Sequence, residues 1–309
     1  MLVKEVTTSR RFTAQRGSKL HRKIALAGFL FVLPASLFII VFNVIPLIYA
    51  FYLSLTSYDP LDRGGPRWQG LEGYGDVLGS EQFWSALKIT AQYTFEIIPL
   101  AIIFALGLAL LANRRIPGIG FLRGIFYLPR IVSLTAVSLI WLWLYSRDGL
   151  FNYIGTFFGG GDTPWLTSPD LAIHSLVIMR VWKALGGNMV LFLAGLQNIP
   201  VELYEAAKID GANSWNLFRY ITLPGLRAVA IFVVTTNIIY LFQSFSEIYV
   251  LTNGGPLEST MTVNMLIYRE AFQYNRMGQA CVIAFLLFAV IFVFAYFNLR
   301  LMSGRGGKR

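Results

Sequence analysis

Six apolar runs constrain this chain more than any other feature. A helix that crosses a bilayer needs about 20 mostly apolar residues, rising 1.5 Å each. Runs of that kind cover residues 25–55, 86–112, 122–145, 171–195, 226–247 and 279–299. None alternates polar and apolar residues with the period of a barrel strand. Inside lipid every backbone N–H and C=O must be bonded within the protein, so each run is predicted to be helical. The expected fold is all-α and integral to a membrane, with six transmembrane helices. The first run is long enough to tilt or to project beyond the bilayer.

Composition and charge agree with this reading. Of 309 residues, 56% are hydrophobic and only 14% charged, well below the roughly 25% of soluble domains. A formal net charge of +10 would suit a nucleic-acid binder, but its distribution points to a membrane. Residues 1–23, 113–123, 196–225 and 300–309 together hold sixteen Lys and Arg. Residues 56–83, 146–170 and 248–278, on the other side, hold five. Loops on the cytoplasmic side collect cations. Both termini are therefore expected in the cytoplasm, with no nucleic-acid partner. The organisation expected is a basic arm over 1–23, a membrane domain over 24–302 and a tail over 303–309. The "SRRF" at 9–12 resembles the start of a twin-arginine signal. The apolar stretch after it is too long and lacks a small-residue cleavage site, which predicts an uncleaved first helix.

Several chemistries are disfavoured. Cys281 is the sole cysteine, and His21 and His174 lie far apart, so neither a disulfide nor a metal site is expected. No G-x-x-x-x-G-K-[ST] is present. The glycine-rich "FFGGGDTP" lacks the lysine that would reach ATP phosphates and reads as a turn. A hydrolase built on His174 and a serine has no nucleophile motif. A secondary transporter would be expected to show internal repeats, and none is visible.

Between the fourth and fifth runs stands "YEAAKIDGANSWNLFRYITLPGL", Tyr204 to Leu226. It reads as two short helices. Pro200 is predicted at the first helical position, where its missing N–H costs nothing. Gly211 stops the first helix, Asn213 or Ser214 caps the second, and Pro224 ends it. Leu203, Ala206 and Ala207 share a face, and Glu205 beside them can make a charge-assisted hydrogen bond. The residues alone leave two readings open, a rigid docking knob and an ordinary loop.

Glu205-Ala206-Ala207, three residues, Gly211, nine residues, then Ile221-x-Leu223-Pro224 resembles the EAA loop of ABC importer permease subunits. The fuller "LQNIPVELYEAAKIDGA" is similar to the carbohydrate-uptake branch. The stretches 33–59, "LPASLFIIVFNVIPLIYAFYLSLTSYD", and 250–280, "VLTNGGPLESTMTVNMLIYREAFQYNRMGQA", resemble the larger of the two maltose-type permease subunits. The resemblance covers roughly residues 25–300. It implies a type I importer transmembrane domain in which the loop 200–224 is a coupling helix seated in a cytoplasmic ATPase subunit. Glu205, Ala206, Ala207, Gly211, Ile221, Leu223 and Pro224 occupy the matching positions. It also implies a second permease subunit, two ATP-binding subunits and an extracytoplasmic solute-binding protein, received by the outer loops 56–83 and 250–278. ATP and Mg would be bound by the partner ATPase, leaving this chain with no cofactor and no enzymatic activity of its own.

Ionisable residues inside spans cost about 2.5–3.5 kcal/mol on insertion scales and default to functional readings. Arg180 and Lys183 lie about 14 and 18 Å into the fourth run and share a face at i, i+3. Glu96 reaches a similar depth in the second run, and Arg130 lies about 12 Å from the cytoplasmic end of the third. Glu96 can neutralise one of these cations as a structural pair but not all three. A positive surplus facing a watery cavity is expected. Under the resemblance, Arg180 and Lys183 match positions lining the sugar path, and Asn237, Leu241 and Ser244 match others at i, i+4, i+7. Leu241, being apolar, departs from that pattern. The planar fork of arginine suits carboxylate or phosphate. The expected substrate is therefore an anionic sugar, such as a uronate oligomer or a sugar or polyol phosphate, with a neutral oligosaccharide as the alternative. Trp141, Trp143 and Tyr145 read as an interfacial belt, and Gly186, Gly187 and Gly195 as points of close helix packing.

Overall fold

The computed structural model describes residues 19–114 and 117–303. Most of the expected basic arm and all but the first residue of the expected tail lie outside those residues. The chain divides into two units, one through Tyr52 and one from Leu53. The first is a single apolar rod. Helix α1 (Lys19–Ile39) passes through one π-turn at Ile40–Val44 into α2 (Ile45–Ser54). Pro34 sits inside α1 without ending it.

The second unit opens with a small antiparallel pair, β1 (Thr56–Ser57) and β2 (Arg67–Trp68), with Thr56 opposite Trp68. Helix α3 (Glu72–Gly79) leads into the long α4 (Glu81–Ala112). Helices α5 (Ile119–Ile131), α6 (Leu134–Leu144) and α7 (Leu150–Phe157) follow. The long α8 (Pro169–Gln197) comes next, then the short α9 (Val201–Ile209), α10 (Ser214–Leu217) and α11 (Leu223–Gly225). The chain ends through α12 (Arg227–Phe242), α13 (Ser246–Leu251), α14 (Val263–Tyr268) and α15 (Met277–Ser303). Four helical stretches are long and apolar enough to cross a membrane, and two bent pairs bring the number to six.

Those bends correct two expectations. The run 122–145 is not one rod: α5 and α6 meet at 96°. Pro129 lacks an N–H for the helix ladder, Val132 is extended, and Ser133 caps α6 by accepting the Ala136 amide at 3.2 Å. The run 226–247 also breaks. Its approach through α10 and α11 meets α12 at 60°, and α12 stops at Phe242, with α13 resuming at Ser246. Hydropathy does not register such breaks, because one or two polar residues barely lower the mean over a window of about 20 residues.

The core is built on α4 against α8. Ala101, Ala105 and Ala109 form a fully buried stripe at four-residue spacing, the small-residue pattern that lets helices approach closely in lipid. The reverse face of α4 carries the exposed Ile103 and Phe104. Helix α5 crosses α8 more tightly still. A methyl group on Gly186 would collide with the Phe126 carbonyl oxygen and lie 2.8 Å from the Tyr127 Cα, and one on Gly195 would lie 2.8 Å from Leu226 and Val229 side-chain atoms. Gly186→Ala should therefore cost about 1–3 kcal/mol, measured as a lower thermal midpoint of the detergent-solubilised protein. Gly107→Ala, where a methyl meets nothing within 4 Å, should leave the midpoint unchanged or slightly raised.

Candidate functional site

A cleft of about 330 Å³ opens between α5, α8 and α12. Helix α8 supplies Arg180, Lys183 and Asn188 from one face, α5 supplies Arg130, and α12 supplies Thr236 and Asn237. Sequence reasoning expected Arg180, Lys183, Arg130 and Asn237 on the substrate path, and the structure brings all four to this cleft. Tyr127 and Tyr240 add aromatic walls. Asn237 donates to the Asn188 side-chain oxygen at 3.2 Å and to its own helix at Val233 O, 2.8 Å.

The three cations are held very differently. Arg180 places its Nε 3.6 Å from Oε1 of Glu247, whose side chain is 1% exposed. The same Oε1 accepts the Tyr93 hydroxyl at 3.1 Å. One buried carboxylate thus joins α4, α8 and α13. Lys183 donates to the carbonyls of Pro129 at 2.9 Å and Val132 at 2.7 Å. These carbonyls lie at the broken end of α5, where the helix leaves acceptors without intrahelical partners and a partial negative charge. Lys183 is therefore a clamp on the break between α5 and α6. Arg130 has neither an ion pair nor a hydrogen bond among the described residues. It lies along α8 where a methyl on Gly187 would meet its Cδ and Nε at 3.4 Å.

Three expected path residues are elsewhere. Glu96 neutralises none of the three cations: its carboxylate accepts Gln92 at 2.9 Å and pairs with His174 Nδ1 at 2.8 Å. Leu241 is packed in the core. Ser244 lies beyond the end of α12, so the i+7 spacing no longer carries it to the Asn237 face, and it is buried against the Tyr240 carbonyl. The aromatic belt is also corrected in part. Trp143 is exposed, but Trp141 and Tyr145 are buried in a cluster with Phe151, Trp165 and Trp182. The Tyr145 hydroxyl donates to Ser175 O at 2.7 Å. Glu247 and Tyr93 were missed at the sequence level. The available signal was an acid at the last position of a predicted span, where a boundary residue is easily assigned to solvent.

The segment between α8 and α12 folds nearly as its sequence predicts. Pro200 stands just before α9 rather than within it. Gly211 adopts φ +82°, a left-handed conformation that favours glycine, and Ala212 N reaches back to Ala207 O at 2.9 Å, closing the helix end. Asn213 caps α10 by accepting Asn216 N at 2.9 Å. Pro224 stands one residue before the end of the second helical path, as expected: a π-turn over Phe218–Thr222 continues into α11, which stops at Gly225 before the 60° bend into α12. Tyr204 bonds Thr222 at 3.0 Å, tying α9 to that return path. Glu205, Ala206 and Gly211 are exposed. So are the large apolar side chains of Leu203, Ile209, Trp215 and Tyr220, an apolar surface of the kind that marks protein contact.

Comparison with known proteins places these features. Residues 97–302 match the family described as binding-protein-dependent transport system inner membrane component. A probable ABC transporter permease protein of Bacillus subtilis, YesP, is 35% identical over 284 residues, covering 90% of this chain and 91% of that one. The trehalose/maltose transport system permease protein MalF of Thermococcus litoralis is 35% identical over 287 residues, covering 92% and 96%. Among solved structures, a bacterial ABC transporter involved in import of the acidic polysaccharide alginate superposes with a TM-score of 0.79 at 23% identity, over 94% of this chain and 100% of that one.

The clamp reading of Lys183 makes a specific prediction. Lys183→Met leaves two carbonyls at the α5–α6 break without their donor, and hydrogen bonds from charged groups are worth about 1.5–3 kcal/mol each. The thermal midpoint should fall by several degrees, and Lys183→Arg, which keeps a cationic donor, should recover part of the loss. An unchanged midpoint for Lys183→Met would show the clamp to be idle.

Proposed function

This chain belongs to the family of binding-protein-dependent transport system inner membrane components, and from that premise we propose that its cleft is half of a path for an acidic sugar. The chain is a multi-pass permease subunit of a carbohydrate-uptake ABC importer, with the type I importer transmembrane fold, and is a transport component rather than an enzyme.

The acidic-substrate reading rests on one observation: Arg130 lines the cleft as a cation with no counter-ion among the described residues. Against three cations the cleft sets one carboxylate, Glu247, and the partial charge of a helix end. A net positive, partly apolar cleft favours carboxylate or phosphate. The alginate importer, whose fold this chain shares, is consistent with that reading. The trehalose/maltose permease favours a neutral oligosaccharide instead, for which Asn237, Thr236 and the tyrosines would be the main contacts.

Energy enters from outside this chain. The exposed segment with Glu205, Ala206, Ala207 and Gly211 is the coupling helix, seated in an ATP-binding subunit that holds ATP and Mg. Ile221, Leu223 and Pro224 form the rigid return from it to α12. A second permease subunit completes the path, two ATPase subunits drive it, and an extracytoplasmic binding protein delivers the sugar to the outer loops 56–83 and 250–278. Both termini face the cytoplasm. Differential contacts of nucleotide and of loaded binding protein with inward- and outward-open states drive the cycle.

Arg130→Gln tests the substrate reading. In proteoliposomes holding the full assembly and its binding protein, uptake of an acidic oligosaccharide should fall by roughly tenfold or more. Substrate-free ATP hydrolysis should fall far less. Equal loss of both, or equal loss of acidic and neutral substrates, would exclude charge recognition at Arg130.

A further inference from the structure

The buried acid beside Arg180 is placed asymmetrically. Glu247 lies behind Arg180, its side chain 1% exposed, whereas the Arg180 side chain is 15% exposed and reaches the cleft. The carboxylate therefore meets the cation and not the path. Oε1 serves both Arg180 and Tyr93, while Oε2 is buried with no hydrogen-bond partner among the described residues. An ionised group that deep is costly. A neutral glutamine could keep the Tyr93 bond, so joining α4 to α13 does not by itself require a charge. What a carboxylate adds is a full negative charge against the one cation of the cleft that lies beside it.

A path has a reason to hold such a charge. Passage requires that binding be strong enough to admit a solute and weak enough to release it. Two uncompensated cations, Arg130 and Arg180, in a low-dielectric cleft would hold an anion tightly. We propose that Glu247 sets the charge of the path: it backs Arg180, so that the cleft presents chiefly the free charge of Arg130 and releases what it admits. The inference deepens the acidic-sugar reading and rests on the same cleft being the path, but its test needs no transported substrate.

The test reads electrostatic potential inside the cleft of the full assembly. Cys281→Ala removes the native thiol, and Thr236→Cys places a reporter on the cleft wall. Thr236 bonds only carbonyls of its own helix, at Phe232 and Val233, so the exchange breaks no contact between helices. Modification rates are compared for two methanethiosulfonate reagents, one ending in a sulfonate and one in a trimethylammonium group. Their ratio cancels differences in access to the reporter. Glu247→Gln should raise the anion-to-cation ratio by roughly tenfold. The double variant Glu247→Gln, Arg180→Gln should return it close to the parent value. An unchanged or lowered ratio in Glu247→Gln overturns the proposal, as does a reporter that neither reagent reaches. Where Glu247→Gln does not assemble, Arg180→Gln supplies the contrast. Its uncompensated carboxylate should favour the cationic reagent relative to the double variant, and equal ratios in those two overturn the proposal. A parent with no anion preference would count against the acidic-sugar reading alone, because the shift caused by Glu247 would still be read.

Discussion

The structure depends on how broken helices are satisfied at membrane depth. In lipid a helix can stop only where its free carbonyls find donors from elsewhere in the protein. Two spans stop here. At the end of α5, Lys183 reaches across from α8 to two carbonyls. At the end of α12, Asn264 donates to Gln243 O at 2.6 Å and Thr262 reaches Ser244 O at 3.4 Å. Each break is thus held by a polar side chain from another element. The continuous helices α4 and α8 provide the fixed frame against which the broken ones are placed.

That arrangement also makes the cleft. A straight third span would run past α8. A span broken after Ile131 turns instead, and leaves Arg130 at the break facing the α8 cations. The break of the fifth span places Glu247 on a separate short helix, behind Arg180 rather than in line with Asn237. The same deviations from ideal helices create a cavity and fix its charge. Tight glycine contacts, with Gly186 against the α5 backbone and Gly195 against the start of α12, keep the frame close enough for the Lys183 side chain to bridge it.

Much of this was legible in the sequence, for physical reasons that differ by element. Long helices announce themselves because lipid demands some twenty apolar residues in a row, and α4, α8 and α15 lie close to the runs that predict them. The segment between α8 and α12 was legible because turn chemistry is local: Gly211 adopts a left-handed conformation, and of the two capping candidates Asn213 caps α10. The breaks were not legible, because Val132 is as apolar as the helices it interrupts, Gln243 and Ser244 are too few to lower the hydropathy of a whole run, and hydropathy counts residues rather than hydrogen bonds. Ser133 as a cap and Pro129 just before it were the available signals. Pairing of charges was not legible either. Glu96 and Glu247 lie 151 positions apart, and only the packing of α4, α8 and α13 decides which of them meets Arg180. Ser244 was misplaced because extending a 3.6-residue period assumes that the helix continues past Phe242, whereas Leu241 lies within α12 and, being apolar, packs into the core.

The central claim is that the cleft between α5, α8 and α12 is one wall of a path that opens alternately to the two sides of the membrane. A cysteine in place of Ala184, which lines that cleft, with Cys281→Ala, tests it in sealed vesicles carrying the full assembly. A membrane-impermeant maleimide added from one side at a time is the probe. The account predicts labelling from the cytoplasmic side without nucleotide, and from the outer side once the ATPase subunits are trapped with ADP and vanadate. Labelling from neither side, or a pattern that nucleotide does not change, would contradict it.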